Sequence, residues 1–268
     1  MFRLDPLSRS LVKASRLTGP LILMYHSIEG GRVAPKWLWS LALNRFLEQI
    51  DLLREAGWQF RCISDLNGED ASERRSIAIT FDDGYLDNDP AFLALEKRGI
   101  PATWFVVSAN VGKPAAWSDD TTAGWPMLDA GRLREMAQAG MEIGGHSRHH
   151  CRLAELPADR LPDEIQGCRL ELEAILDRPA TSFAYPYGSH NEAVVEAVRA
   201  AGYRVACTTQ YGPALADGDP LRMRRLAVYS HDTLSSFARK VGLMRNEATW
   251  GRVFEHFAAA MLTQRRQP

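Results

Sequence analysis

Four times along this chain an amphipathic stretch ends in a glycine and an apolar, β-branched run follows. The glycines are Gly57, Gly99, Gly140 and Gly202, and the runs begin at Trp58, Ile100, Met141 and Tyr203. Glycine just past a helix is the expected left-handed stop. The pattern therefore predicts repeated helix-to-strand units. The stretches before the glycines are helical in period. Leu43, Phe46, Leu47, Ile50 and Leu53 recur at helical spacing, and Ile165, Cys168, Leu172, Ile175 and Leu176 share one face of the stretch Glu164–Leu176. Asp89-Pro90 offers an N-cap with a first-turn proline, while Asp129 and Asn191 are placed to cap the later helices.

The expected strands are short and nearly all apolar: Leu21–His26, Ser76–Phe81, Ala102–Val107, Met141–Gly144, Ser182–Tyr185 and Val205–Thr208. Apolar strands alternating with helices imply a parallel sheet buried on both faces. Six or more such units favour a barrel, with an open doubly wound sheet as the alternative. The expected architecture is an α/β barrel in a single domain over residues 1–268, with its core at about 20–245 and a closing helix at about 248–264. Four cysteines, none in a CxxC pair, sit in or beside apolar runs and are expected to be reduced.

A formal net charge of −1 excludes a global field for nucleic acid or anionic membrane. The N-terminus lacks the apolar core of a signal peptide, and no apolar run reaches the ~18–20 residues of a membrane helix, so a cytoplasmic protein is expected. Arg3, Arg9, Lys13 and Arg16 with Phe2, Leu4, Leu7 and Leu11 can form a basic amphipathic helix on a membrane surface. A helix packed on the barrel is the simpler expectation.

The polar clusters fall at the C-terminal ends of expected strands, the rim where barrel active sites are built. His26 ends the first strand, Asp82-Asp83-Gly84 follows Ser76–Phe81, His146-Ser147-Arg148-His149-His150 follows Met141–Gly144, and Pro186-Tyr187-Gly188 follows the Ser182 strand. Asp82-Asp83 alone reads equally as turn chemistry. Beside two histidines four apart it supplies a metal ligand and a spare carboxylate for proton transfer. If the stretch after Gly145 is helical or tightly coiled, both imidazoles face one point. His149 is the spare, either exposed or supporting the ligands from behind. The backbone N–H near Tyr187 is placed to stabilise an oxyanion. Trp37, Trp39, Trp117 and Trp125 lie in expected loops, as sugar-stacking surfaces or as core plugs.

Together these residues resemble the polysaccharide deacetylase family, also called the NodB-homology domain or carbohydrate esterase family four. Thr80–Gly84 matches its TFDDG motif, His146–His150 its H-[S/T]-x-x-H motif, and Pro186-Tyr187-Gly188 the end of its third motif. The resemblance implies a distorted (β/α)7 barrel that removes N-acetyl groups from amino sugars of an exopolysaccharide or cell-envelope glycan. It implies Asp82 as base and Asp83, His146 and His150 as ligands of one divalent metal: Zn²⁺, with Co²⁺ or Ni²⁺ as alternatives. Tyr187, beside Pro186, would donate the oxyanion-hole N–H. O-acetyl ester, formamide and cyclic-amide hydrolysis remain open on the same site, as does a non-catalytic glycan-binding barrel.

Two departures stand out. The family's arginine two residues before the third-motif proline, which orients the base, is replaced by Ala184. The L-x-x-H motif that supplies the general acid comes first here, as Leu23-x-x-His26, which resembles the circularly permuted, exopolysaccharide-biosynthesis branch. His231 is the competing acid, but it follows Arg222, Arg224 and Arg225, a segment expected to face another surface.

Overall fold

Seven parallel strands stand side by side, buried on both faces, so both sides of the sheet are mainly apolar. The computed structural model describes residues 4–14, 19–30, 37–67, 75–117, 122–251 and 253–254. In chain order the elements begin with α1 (Pro6–Ala14), β1 (Leu21–Tyr25), β2 (Ser27–Glu29), β3 (Ser40–Ala42), α2 (Leu43–Glu55) and β4 (Gln59–Arg61). There follow β5 (Ser76–Phe81), α3 (Asp89–Glu96), β6 (Thr103–Val106), α4 (Ala130–Gln138), β7 (Glu142–Gly145) and α5 (Leu161–Leu176). The chain continues with β8 (Ser182–Ala184), α6 (Glu192–Ala200), β9 (Val205–Cys207), β10 (Leu226–Ala227) and α7 (Leu234–Leu243).

The strand order is β10-β1-β5-β6-β7-β8-β9, with β4 added beside the start of β5. The sheet curls into a half-barrel, and its two edges approach through one parallel bridge, Cys207 to Met223, just ahead of β10. Thr208 N–H donates to Met223 O, and Met223 N–H to Ala206 O, both at 2.8 Å. This is an α/β fold of the distorted (β/α)7 type. Alternation along the strands serves two cores. Leu21, Leu23, Ile77, Ile79 and Phe81 pack outward with Phe46, Ile50 and Leu53 of α2. Ile22, Ala78, Phe105, Ala184, Cys207 and Met223 fill the interior.

The helix-stop glycines behave as the sequence suggests, with φ of 83°, 63°, 90° and 89° at Gly57, Gly99, Gly140 and Gly202. Asp129 accepts from Arg132 N–H at 2.8 Å and Asn191 from Val194 N–H at 3.0 Å, capping α4 and α6. Asp89 is not a cap. A single 3₁₀ turn at Leu86–Asn88 runs into α3, which puts Asn88 at the cap position and frees the Asp89 carboxylate to pair with Arg132. β2, β3 and β10 lie outside the expected strands because two or three residues are too short to show a period; α7, which starts at a Thr233 cap, is also absent from the expected elements. Of the closing helix expected at 248–264, only Trp250, Gly251, Val253 and Phe254 are helical among the described residues. At the N-terminus, α1 lies on α7. Asp5 N–H donates to Ser235 Oγ at 3.0 Å, Arg239 pairs with Asp5 at 3.3 Å, and Leu11 and Val12 are buried while Leu7 is exposed. Phe2, Arg3 and Arg16 lie outside the described residues. No described helix is long and apolar enough to cross a membrane.

β7 carries a pair of glycines for a steric reason. A Cβ on Gly144 would stand 2.5 Å from Ser182 Oγ and 2.8 Å from both Phe105 and the Ser182 carbonyl. Gly144→Ala should therefore push β6, β7 and β8 apart and cost about 1–3 kcal/mol. Denaturant unfolding measures it; a wild-type midpoint in the variant would show that the strands yield freely.

Candidate active site

The turn after β5 sends two neighbouring carboxylates in different directions. Asp83 has φ 74° and Gly84 φ 89°, and a Cβ on Gly84 would press on the Val106 methyls at 3.3 Å. Asp82 N–H donates to Tyr25 O (3.0 Å) and Val107 N–H to Asp83 O (3.3 Å), so β1 and β6 hold the turn from both sides. Six described non-glycine residues have left-handed φ. Four of them, Asp83, Ser147, His150 and Tyr187, lie in the three loops above β5, β7 and β8. Each costs roughly 1 kcal/mol relative to a relaxed backbone, a concentration of strain expected where side chains are aimed rather than merely packed.

Asp83 faces the histidines. His150 Nε2 lies 3.1 Å and His146 Nε2 3.4 Å from Asp83 Oδ1, and all three residues are buried. His146 Nδ1 is 2.8 Å from Ala184 O; a carbonyl only accepts, so the proton is on Nδ1 and the Nε2 lone pair faces Asp83. Asp83 Oδ1 is buried without a hydrogen-bond partner. An imidazole lone pair and a carboxylate oxygen converging in a buried site repel unless a cation or proton lies between them. These three donors fit a divalent metal with coordination positions left open. Burial raises the Asp83 carboxyl; positive charge on the facing imidazoles, His150 first and then His146, would hold it well below the ordinary range.

The loop between the histidines is coil, not helix. It is clamped from α5 by Glu164, a buried carboxylate absent from every motif. Glu164 Oε2 accepts from Arg148 N–H (3.1 Å) and His149 N–H (3.0 Å), and Oε1 meets His149 Nδ1 at 2.7 Å. His149 is half-exposed and turned away from Asp83 onto this carboxylate. Arg148 spans Asp163 and Glu171 on the same helix.

Asp82 meets a different partner. Arg225, fully buried, donates from Nη1 to Oδ1 (2.6 Å) and from Nη2 to Oδ2 (2.8 Å). Its Nε donates to Thr208 O (2.9 Å) and Nη1 also reaches Thr80 Oγ1 (3.3 Å). Burial would raise the Asp82 carboxyl; the Arg225 guanidinium more than offsets this and holds it below the ordinary range. Ala184 lacks the guanidinium that position would supply, and Arg225 provides one from the far edge of the curled sheet. The expectation that this arginine segment faces another surface fails for Arg225. Arg222 and Arg224 do turn outward, to Glu192 and Asp219 and to Asp217. The only sequence signal for Arg225 was its place just before the apolar Leu226-Ala227 pair.

Asp82, Asp83, His146, His150, His26 and Tyr187 all line one cavity of about 400 Å³. His26, just past β1, packs at a tilt against Trp39 at 4.4 Å and meets Trp37 edge-on at 5.9 Å. Enclosure lowers its imidazole, while Asp83 and Asp82 pull the other way. His231 is exposed, stacked on Tyr229, and does not line the cavity. Pro186 is buried behind Tyr187, whose ring lies 4.6 Å from that of His150. Trp117 packs on His150 at 4.6 Å. Trp37, Trp39 and Trp117 thus form cavity walls, and Trp125 backs Trp37 at 5.6 Å.

The sequence profile of a family described as polysaccharide deacetylase matches residues 69–206, just over half of the chain. YxkH of Bacillus subtilis, which carries the name of a polysaccharide deacetylase, is 27% identical over 231 residues, covering 84% of this chain and 76% of that protein. A poly-β-1,6-N-acetyl-D-glucosamine N-deacetylase of Staphylococcus epidermidis is 24% identical over 75% of this chain and 72% of its own length. A polysaccharide deacetylase of Bacillus cereus has the same fold, with a TM-score of 0.70 at 23% identity over 83% of this chain and 69% of that one.

Arg225→Met would leave the Asp82 carboxylate buried and unpaired, at a cost of about 3–5 kcal/mol near neutral pH. In the wild type the depressed Asp82 value contributes stability above the unfolded carboxyl value, and that stability is lost as pH falls through the folded value. In the variant the unpaired carboxyl is raised instead, so the stability gap should narrow as pH falls and Asp82 takes up a proton. Unfolding curves of both proteins at pH about 7 and about 4 test this; a gap independent of pH would remove the ion pair as its cause.

Proposed function

Because the chain belongs to the polysaccharide deacetylase family, a family of metal-dependent hydrolases, we propose that it removes N-acetyl groups from an amino-sugar polymer or its precursor in this cavity. The observation that carries this reading is the division of labour between adjacent carboxylates. Asp83 is turned onto two histidine Nε2 atoms, while Asp82 is gripped by Arg225 with its oxygens kept ionised at the cavity floor. A binding module needs no such spare carboxylate.

A divalent cation held by Asp83, His146 and His150 would supply Lewis acidity to the acyl oxygen and acidity to the attacking water. Zn²⁺ suits a His₂-carboxylate set, with Co²⁺ and Ni²⁺ as alternatives. Asp82 takes the proton from the water, and Arg225 keeps it oriented for the transfer. The Tyr187 N–H would donate to the oxygen of the tetrahedral adduct. His26 protonates the departing nitrogen; a lowered imidazole value makes its proton easier to give away. We read Leu23-x-x-His26 as the permuted counterpart of the family's late acid motif. The support is position: β1 lies between β10 and β5, which brings His26 beside Asp82 although their sequence order is reversed. For the substrate, the Staphylococcus epidermidis relative directs attention to β-linked N-acetylglucosamine polymers.

Acetate release from a panel of N-acetylated glycans, with chelator and with Zn²⁺, Co²⁺ or Ni²⁺ restored, tests the activity. It should vanish on chelation and return with metal; release that survives metal removal would contradict the site. Asp82→Asn should keep its metal and lose at least ~10²-fold in rate.

The acid is tested by leaving group. His26→Ala should cripple amide substrates, whose nitrogen must be protonated to depart, and spare activated aryl acetates. His231→Ala should leave both nearly intact. Selective loss of amide cleavage in His231→Ala would reassign the acid.

A further inference from the structure

Four of the described arginines at this end of the fold are paired with carboxylates. Arg148 holds Asp163 and Glu171, Arg222 holds Glu192 and Asp219, Arg224 holds Asp217, and Arg225 holds Asp82. Arg152 is different. It stands at the cavity edge with its guanidinium carbon 4.2 Å above the Tyr187 ring, and the guanidinium has no hydrogen bond or ion pair among the described residues. Stacking on an aromatic face leaves the in-plane N–H donors of a guanidinium directed outward, in the fork that matches a carboxylate or phosphate. Its perch is built. Ala154 N–H donates to Ser189 Oγ at 3.2 Å, which ties the Arg152 loop to the loop bearing Tyr187.

The charges around the cavity make this guanidinium consequential. The carboxylates among the described lining residues are Asp82 and Asp83, both at the floor and 3% exposed. Arg225 neutralises Asp82, and the cation site consumes Asp83. No other described lining residue is a carboxylate, so an anion at the cavity edge meets the Arg152 guanidinium with no lining carboxylate beside it. The other walls are aromatic: Trp37, Trp39, Trp117 and Tyr229. They suit the apolar faces of sugar rings.

We propose that Arg152 forms an anion subsite, so that the preferred glycan carries an acidic substituent, a carboxylate or a phosphate, within about one sugar of the acetamido group that is cleaved. This rests on the deacetylase reading above and narrows its substrate class. An exposed charge-assisted pair of this kind should favour the acidic glycan about two- to fivefold in kcat/KM.

The test compares matched ligands: an N-acetylglucosamine tetrasaccharide, and the same tetrasaccharide with one primary alcohol converted to a carboxylate or to a phosphate ester. The metal-loaded wild type should prefer the acidic forms, and added salt should erode the preference. Which acidic form is preferred distinguishes a uronate from a phosphorylated sugar. In Arg152→Ala the acidic-to-neutral ratio should fall to near one, and Arg152→Lys should keep part of it. A wild-type ratio near one, or a ratio unchanged in Arg152→Ala, overturns the subsite. Titration calorimetry of the same ligands on Asp82→Asn and on Asp82→Asn with Arg152→Ala reads binding without turnover. Acid preference that depends on Arg152 in binding, without acetate release by the wild type, would keep the subsite and discard the hydrolase reading. Equal binding of all ligands would discard the subsite itself.

Discussion

The buried pair between Asp82 and Arg225 is the interaction on which the site depends. It joins the end of β5 to the segment before β10 and so spans the interior of the curled sheet. An ion pair taken out of water is sustained only when both partners are fully bonded, and this one is: Arg225 also reaches Thr208 O and Thr80 Oγ1. Its consequence is chemical as well as structural. It pairs one of two adjacent carboxylates with a guanidinium and leaves the other turned onto the two histidines.

Backbone strain does the aiming. Left-handed φ at Asp83, Ser147, His150 and Tyr187 turns side chains that plain strand ends would send elsewhere. Such conformations persist only where the surroundings over-determine them. Here the surroundings can be named. Glu164 grips two loop N–H groups and the His149 ring, Ser147 Oγ accepts from His150 N–H at 2.9 Å, and Ala184 O fixes the His146 tautomer. Ala184 thus contributes to the site through its carbonyl.

Around this floor the wall is aromatic, and its rings hold one another. Trp39 lies between His26 and Tyr229, and Trp37 meets Tyr85 and Trp125. Tyr229 is in turn backed by Lys240, which is buried against Asp232. His26 is thereby positioned by packing, its Nδ1 buried without a partner, in contrast to His146, whose ring is held by a carbonyl.

The sequence by itself determined the local elements and the chemistry on offer. Helix period, stop glycines, the Asp129 and Asn191 caps and apolar strands are local properties, and each was legible from a window of a few residues. So were the four polar clusters at strand ends, because a buried strand makes an abrupt polar residue conspicuous. What only the tertiary structure decided is the partnership across distance. Arg225 finds Asp82 143 residues away because the sheet curls. Glu164 finds the histidine loop because α5 packs back beneath it, and His26 is set apart from His231 by which strand ends face inward. β10 and β2 left no period in so few residues, and Asp89 passed for a cap until the 3₁₀ turn before it shifted the start of α3. Each of these depends on loop closure between segments far apart in the chain, and no local pattern of residues encodes where such a closure ends.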